Sequence, residues 1–221
     1  MTSVWPTSSN SPDPTFSALA CSWMPDPSEK LLGFIWEAYD EMASNRPVIE
    51  TKDLERSITQ LLEQRVDDAM SGDEPFYVQH GSFEHETMAA PPAQPPAYDL
   101  AFVLRADERV MWPIEAKVLE TPGRLADYAK DVNDEFLTCR YAPFSGSGAM
   151  LGYLLSGSTE DALTGIEKKL GCTLQSVNGY SARPHRKSTH TRTVPAGKSY
   201  PINFDCHHLI LEYLGLKRSS S

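Results

Sequence analysis

Two neighbouring apolar segments constrain the fold of this chain more than any other feature of its sequence. The first is YDLAFVL at residues 98–104, and the second is WPIEAKVL at residues 112–119. A polar pentapeptide, RADER at residues 105–109, lies between them. Two apolar runs joined by a short polar connection are typical of a β-hairpin. We therefore predict two strands, at about residues 98–105 and 110–119.

Ionisable residues lie within both segments. Asp99 is near the start of the first, and Glu115 and Lys117 lie in the second with one residue between them. Side chains alternate across a strand, so Glu115 and Lys117 point to the same face. An acid and a lysine have little reason to share a face flanked by Val, Ile and Leu unless that face carries chemistry, and this set is typical of a Mg²⁺-dependent phosphodiesterase site. The alternative is a hairpin on which Glu115 and Lys117 form a surface ion pair.

The rest of the chain predicts alternating helices and strands. Predicted helices, from amphipathic periodicity, cover about residues 29–43, 51–70, 125–137 and 159–170, and predicted strands cover about 76–80, 98–105, 110–119, 148–155, 172–177 and 202–214. Residues 178–199 are polar and predict a loop. This order of elements predicts an α/β fold with a mixed central sheet flanked by helices. Pro113 has no N–H to donate, which predicts that its strand lies at a sheet edge or carries a bulge.

Asp99 and the tripeptide Glu115-Ala116-Lys117, set on two consecutive strands, resemble the PD-(D/E)XK, or restriction-endonuclease-like, nuclease superfamily. The resemblance covers about residues 51–170, although Tyr98 stands where the family name has Pro. It implies a restriction-endonuclease-like αβββαβ core, with the acid at the start of the second strand and the tripeptide on the third. It also implies Mg²⁺, with Mn²⁺ as a substitute, held by Asp99, Glu115 and the Ala116 carbonyl. Lys117 would orient a water or stabilise the developing charge.

Members of this superfamily often add a Glu from the first core helix. At 100° per residue, Glu55 falls inside the apolar arc of the predicted helix 51–70, whereas Glu63 falls outside it. The resemblance therefore implies Glu55 as a fourth site residue. The alternative is that Glu55 only stabilises the helix N-terminus, where acids are favoured.

Charge is distributed unevenly along the chain. The formal net charge is −10, yet residues 171–221 carry seven basic and two acidic side chains. An acidic average argues against tight DNA binding by the chain alone, because such affinity comes mainly from phosphate neutralisation. Within the basic region, the residues that we predict to contact nucleic-acid phosphates are Arg183, His185, Arg186, Lys187, His190 and Arg192. The alternative is a solvated basic loop.

The domain organisation predicted from composition is simple. Residues 1–27 read as a loosely ordered Pro- and Ser-rich arm, and residues 28–221 as a single nuclease-like domain with its core at about 51–170 and a basic C-terminal extension at 171–221. No apolar run is long enough for a membrane span, and no secretory signal is apparent. The four cysteines form no CxxC pair, which predicts reduced thiols and a cytoplasmic protein.

These features together predict a Mg²⁺-dependent DNA endonuclease. The strand at 148–155, preceded by Arg140 and Tyr141, also resembles segments of small defence-associated nuclease-like proteins of bacteria. We therefore expect one component of a multi-protein defence or DNA-processing system, with a protein partner; RNA as substrate and a homodimer stay open. One alternative is a non-catalytic nuclease-fold subunit that serves assembly or DNA docking. Another is a zinc-binding adaptor built on His185, His190, Cys206, His207 and His208.

Overall fold

A computed structural model of the chain describes residues 18–19, 27–45, 49, 52–87, 95–120 and 124–214. The predicted arm at 1–27 lies outside these residues except for Ala18, Leu19 and Pro27. The helices are α1 (Pro27–Ser44), α2 (Leu54–Ala69), α3 (Arg124–Asp131) and α4 (Thr159–Leu170), and a π-helical segment, Val132–Phe136, follows α3 directly. The strands are β1 (Phe76–His80), β2 (Leu100–Leu104), β3 (Met111–Leu119), β4 (Ser147–Leu154), β5 (Gln175–Ser176), β6 (His185–Thr191) and β7 (Asn203–Glu212).

The strands form one mixed sheet in the order β1-β2-β3-β4-β7-β6-β5. Strands β3, β4 and β7 run parallel to their neighbours in this group, and the other pairs are antiparallel. Helices α1 and α2 cover one face of the sheet, and α3, the π-helical segment and α4 cover the other. The predicted α/β fold, with a mixed central sheet flanked by helices, is therefore confirmed.

Alternation along the strands explains how two cores form. On β3, Trp112, Ile114 and Ala116 face the α1/α2 core, whereas Met111 and Leu119 face the α3/α4 core. Strand β4 is central and is buried on both sides over nearly its whole length. A parallel strand covered on both faces needs such a continuous apolar sequence.

The ends of α4 form as the sequence predicts. Ser158 Oγ accepts a hydrogen bond from Asp161 N at 3.1 Å, which satisfies one of the free N–H groups of the first turn. Gly171 ends the helix in the left-handed conformation at φ 64°, which glycine adopts without the steric cost of a Cβ.

Three local predictions were wrong. Pro113 lies on an interior strand, and the parallel ladder between β3 and β4 begins only at Ile114, so the missing N–H falls before that ladder. The predicted loop 178–199 contains β6, and the predicted strand 172–177 shrinks to Gln175–Ser176. Strand β6 is polar in sequence because its buried side chains bond to other polar groups; Ser188 Oγ lies 2.8 Å from His208 Nε2.

Other predictions concern cysteines, membranes and zinc. Cys139, Cys172 and Cys206 are free thiols. None of the helices in the described ranges is both long and apolar enough to cross a membrane. Two residues of the zinc alternative lie on opposite faces of the sheet, as expected for neighbours on a strand. His207 packs near Trp112 on the α1/α2 side, whereas His208 lies near Tyr128 on the α3/α4 side.

Candidate active site

The candidate site lies where β2 and β3 separate. Pairing of β2 with β3 stops at the Leu100–Ile114 pair, but β3 continues to Leu119. Beyond Ile114, the N–H groups of Ala116 and Val118 point to the side that β2 has left, because alternate N–H groups of a strand point to the same side. We call this gap, with the side chains that line it, the fork.

Two carboxylates take the place of the missing strand at the fork. Asp99 Oδ2 accepts a hydrogen bond from Ala116 N at 2.8 Å, and Glu55 Oε2 accepts one from Val118 N at 2.9 Å. Asp99 directly precedes β2, and Glu55 lies in the first turn of α2, whose N-cap is Asp53. The fold therefore brings together Glu55, Asp99, Glu115 and Lys117, which the sequence predicted as one site.

The Lys117 ammonium lies at the centre of this group. Its Nζ is 3.0 Å from Glu115 Oε1, 3.0 Å from the Ala116 carbonyl oxygen and 2.9 Å from Asp131 Oδ2. Glu55 Oε1 is farther away, at 3.7 Å. Glu115 and the Ala116 carbonyl accept hydrogen bonds from this ammonium, and Asp131 forms an ion pair with it, so its three N–H groups have three close oxygen partners.

Glu115 is the least satisfied member of the site. The residue is 8% exposed, and its Oε2 has no hydrogen-bond partner among the described residues. Burial raises the pKa of Glu115 well above its ordinary value, and the nearby charge of Asp99 raises it further, against the opposing effect of Lys117. A buried carboxylate with an open oxygen beside a second carboxylate favours an added cation.

The other charged groups are tuned by the same surroundings. Burial raises the pKa of Glu55, opposed by Lys117 and by the Val118 N–H. Burial by itself would lower the pKa of Lys117, but Glu115, Glu55 and Asp131 together outweigh it and raise the pKa above its ordinary value. Lys117 is therefore charged at neutral pH and suits charge stabilisation, not proton abstraction.

Tyr141 lies near the acids of the fork. Its hydroxyl donates to the Ala97 carbonyl at 2.6 Å, two residues before Asp99, and its ring packs edge-on against Tyr98 at 4.8 Å. Burial raises the pKa of Tyr141, and Glu115 and Asp99 add to this, so the phenol stays protonated. Tyr98 OH in turn donates to the buried carboxylate of Glu84, whose pKa burial raises to about 7.

The loop that carries Tyr141 is held in an unusual conformation. Cys139 and Ala142 are non-glycine residues with φ of 61° and 51°, a region that L-residues rarely adopt and that costs free energy. The buried guanidinium of Arg192 donates to the carbonyls of Tyr141 at 3.1 Å, Ala142 at 2.9 Å and Ser145 at 2.8 Å. Arg192 therefore stabilises the loop that carries Tyr141 from within the protein.

The six predicted nucleic-acid contacts are mostly engaged with the protein. His185 is fully buried between Trp36 and His207, and Arg192 is buried as described. All six side chains make hydrogen bonds within the protein: Arg183 with Asp40, His185 with His207, Arg186 with the His185 carbonyl, Lys187 with Asp205, His190 with Ser188, and Arg192 with the 141–145 carbonyls. The nucleic-acid role of the group stays a prediction, and in this conformation His185 and Arg192 do not reach solvent.

The donors at the fork fit Mg²⁺ better than a softer metal. Glu115 Oε2 is open, the Ala116 carbonyl belongs to the next residue, and the Asp99 carboxylate accepts from the N–H of that same Ala116, so every candidate donor is oxygen. Within the described ranges, no three His, Cys, Asp or Glu side chains form a group that could hold a metal ion by themselves. Mg²⁺ keeps several waters and needs few protein ligands, so a partial oxygen shell is compatible with it.

Asp131 is the site residue that the sequence did not predict. It lies at the end of α3, the helix that follows the hairpin, and the acids on the polar face of that helix give no signal that distinguishes it.

Comparisons of the chain with protein-family models, with curated proteins and with solved structures returned no match. The fork is therefore interpreted from its own geometry.

Proposed function

We propose that this chain is a Mg²⁺-dependent DNA endonuclease with a restriction-endonuclease-like core. The observation that carries the proposal is the buried Glu115 at the fork, whose Oε2 is unpaired beside Asp99 and a charged Lys117. Such an arrangement costs folding free energy unless a cation or a reacting group takes up the open oxygen.

The order of elements supports the proposed core. From α2 the chain runs α2-β1-β2-β3-α3-β4, which is the αβββαβ order that the resemblance implies. Asp99 directly precedes the second strand of this unit, and Glu115, Ala116 and Lys117 lie on the third.

Each residue of the fork has a distinct proposed role. Asp99, Glu115 and the Ala116 carbonyl would hold Mg²⁺. When bound, the cation makes a water more acidic and neutralises charge on the phosphate. Lys117 supplies a fixed positive charge that stabilises the negative charge of the reacting phosphate. Glu55 orients β3 through the Val118 N–H and adds a negative charge beside Lys117.

The proposed setting is a multi-protein bacterial defence or DNA-processing system in the cytoplasm. The net charge of −10 and the internal pairing of the C-terminal basic residues support a protein partner that supplies DNA affinity. The proposal leaves two points open: the substrate can be RNA instead of DNA, and the protein can form a homodimer.

One observation favours a second candidate, a non-catalytic nuclease-fold subunit. The Lys117 ammonium already has three close oxygen partners within the protein, two through hydrogen bonds and Asp131 through an ion pair. A closed ion-pair network of this kind also suits a purely structural junction between β3, α2 and α3.

Cleavage assays distinguish the two candidates. The pure protein, alone and with the proteins encoded by neighbouring genes, would be incubated with supercoiled DNA, linear DNA and RNA in Mg²⁺, Mn²⁺ or EDTA. Glu115→Gln and Lys117→Met should abolish metal-dependent cleavage, whereas the control Glu63→Gln, also on α2 but outside the fork, should not. Titration calorimetry should show that Glu115→Gln also weakens binding of Mn²⁺.

The contrary result is equally clear. Absence of cleavage and of metal binding in every combination, with Glu115→Gln folded and functional in cells, would refute the endonuclease and support the structural subunit.

A further inference from the structure

Asp131 reaches the fork from the opposite side of the sheet to Glu55. Its Oδ2 lies 2.9 Å from Lys117 Nζ, the shortest contact of that ammonium. Asp131 is the last residue of α3, which covers the face that α2 does not. The Lys117 ammonium is thus held between elements of both layers.

The acceptors of Lys117 differ in what else they could do. Glu115 Oε1 and the Ala116 carbonyl belong to groups proposed to hold Mg²⁺, so their lone pairs would be shared with the cation. Asp131 is the close acceptor that has no such second task. Asp131 would therefore still hold the Lys117 ammonium when Mg²⁺ is bound.

The position of Asp131 is fixed by its neighbours. Tyr128, three residues earlier, donates to the Met150 carbonyl at 3.2 Å, and Val132, the next residue, is buried. The π-helical segment begins at Val132 and is closed by Leu137 N donating to Val132 O at 3.0 Å. Single π-helical turns inside helices occur frequently at functional sites.

Asp131 is also shielded from solvent, which strengthens its pairing with Lys117. Its side chain is 19% exposed, whereas Asp134, in the π-helical segment, is 55% exposed and pairs with Lys130 at 2.9 Å. Ion pairs in less polar surroundings are screened less than exposed ones. The two aspartates therefore form a matched pair with similar ion-pair distances but different burial.

We infer that Asp131 is a positioning residue of the site, which fixes the Lys117 ammonium beside the Ala116 carbonyl and Glu115. This inference rests on the proposed function. It adds a fourth acid to the set of Glu55, Asp99 and Glu115, and it gives α3 a part in the reaction.

The test compares Asp131→Asn with Asp134→Asn. The first readout is the ¹⁵N–¹H signal of the lysine ammonium groups by NMR, with the Lys117 signal assigned by its loss in Lys117→Arg. An ammonium held by two hydrogen bonds and a close ion pair exchanges its hydrogens slowly and should give a visible signal in the wild type and in Asp134→Asn. That signal should disappear in Asp131→Asn.

The second readout is the division between kcat and KM in DNA cleavage. Because Asp131 is inferred to act through Lys117, Asp131→Asn should lower kcat roughly 10- to 100-fold, as small misplacements of a reacting group do, and leave KM unchanged. Asp131→Glu keeps the charge and should recover part of kcat, which also covers the case in which the Asn variant folds poorly.

Three results would overturn the inference. One is a Lys117 signal that is equally visible in Asp131→Asn and in the wild type. Another is a kcat in Asp131→Asn equal to that of Asp134→Asn. The third is a pair of results: the signal is lost in Asp131→Asn, and the wild-type protein cleaves no substrate. This pair would refute the proposed function and leave Asp131 only a structural partner of Lys117.

Discussion

Arg192 offers the sharpest test of how the chain uses its C-terminal basic residues. The sequence assigns it to nucleic-acid binding, whereas the structure buries it behind the 139–142 loop with three hydrogen bonds to main-chain carbonyls. Its guanidinium also lies over the ring of Phe204 at 4.1 Å. We predict that Arg192→Met, which keeps much of the side-chain volume but removes every donor, destabilises the protein.

The magnitude follows from the carbonyls that are left behind. Ala142 O retains the hydrogen bond from Ser145 N at 3.1 Å, but the carbonyls of Tyr141 and Ser145 lose the Arg192 donor. Two buried carbonyls without that partner cost about 1–3 kcal/mol each. Burial lowers the pKa of Arg192 to about 10, so removing the buried charge returns part of this cost. We expect a loss of about 2–5 kcal/mol.

Arg183→Met is the matched control from the same predicted group. Arg183 makes two hydrogen bonds to Asp40, at 2.7 and 2.5 Å, but its side chain is 36% exposed. An exposed ion pair contributes about 1 kcal/mol or less. Urea unfolding followed by circular dichroism should therefore separate the two variants in midpoint at an unchanged slope.

DNA binding measured on the same variants decides between the two interpretations of Arg192. A stability loss below about 1 kcal/mol in Arg192→Met, joined to weaker and less salt-dependent DNA binding than in Arg183→Met, would refute the structural role. It would instead support the role predicted from the sequence.

Two further predictions concern the interior. Burial lowers the pKa of His208 to about 3, and His190 and His207 lower it further. Below about pH 6.5 the unfolded chain binds a proton at this histidine that the folded chain does not bind. The free energy of unfolding therefore falls as the pH drops below about 6.5. His208→Gln should remove about 1.4 kcal/mol per pH unit of that fall in urea unfolding at pH 6, 5 and 4, and parallel curves for the two proteins would contradict this. Gly152→Ala should cost about 1–3 kcal/mol by overpacking, because the new Cβ lies 2.6 Å from Leu119 Cδ1 and 2.8 Å from Ile210 Cδ1. Leu119→Ala alone also destabilises the protein because Leu119 is buried, but the double variant should lose less than the sum of the two single losses in thermal unfolding, and a fully additive double variant would argue against the clash.

The parts of the fold that the sequence predicted are those set by local pattern. The hairpin strands and β4 follow from apolar runs. The ends of α4 follow from Ser158 and Gly171, which act within a few residues. The inward placement of Glu55 follows from helical periodicity, whereas its choice as a site residue rested on the family resemblance. In each case the sequence signal acts over the same short range as the structural feature that it predicts.

The parts that escaped prediction depend on contacts between distant segments. Strand β6 has no apolar pattern because its inward side chains, such as His185 and Ser188, are satisfied by histidines of β7. Asp131 resembles its neighbouring acids until α3 is placed against β3. Arg192 is a surface residue by type, and only the strained 139–142 loop gives it an interior role.

The fork also has a consequence for how such proteins change over evolutionary time. Asp99 and Glu55 each bond a main-chain N–H of β3, so the sheet needs them whether or not any reaction occurs. Glu115 bonds no main-chain N–H of the sheet; its Oε1 pairs with Lys117, and its Oε2 bonds to nothing in the described chain. Under the proposed function, a related chain that had lost catalysis should therefore keep the acids at 55 and 99 and lose the one at 115 first. Position 115 would then be the marker of the proposed activity, whereas an intact acid at 99 would record only ancestry.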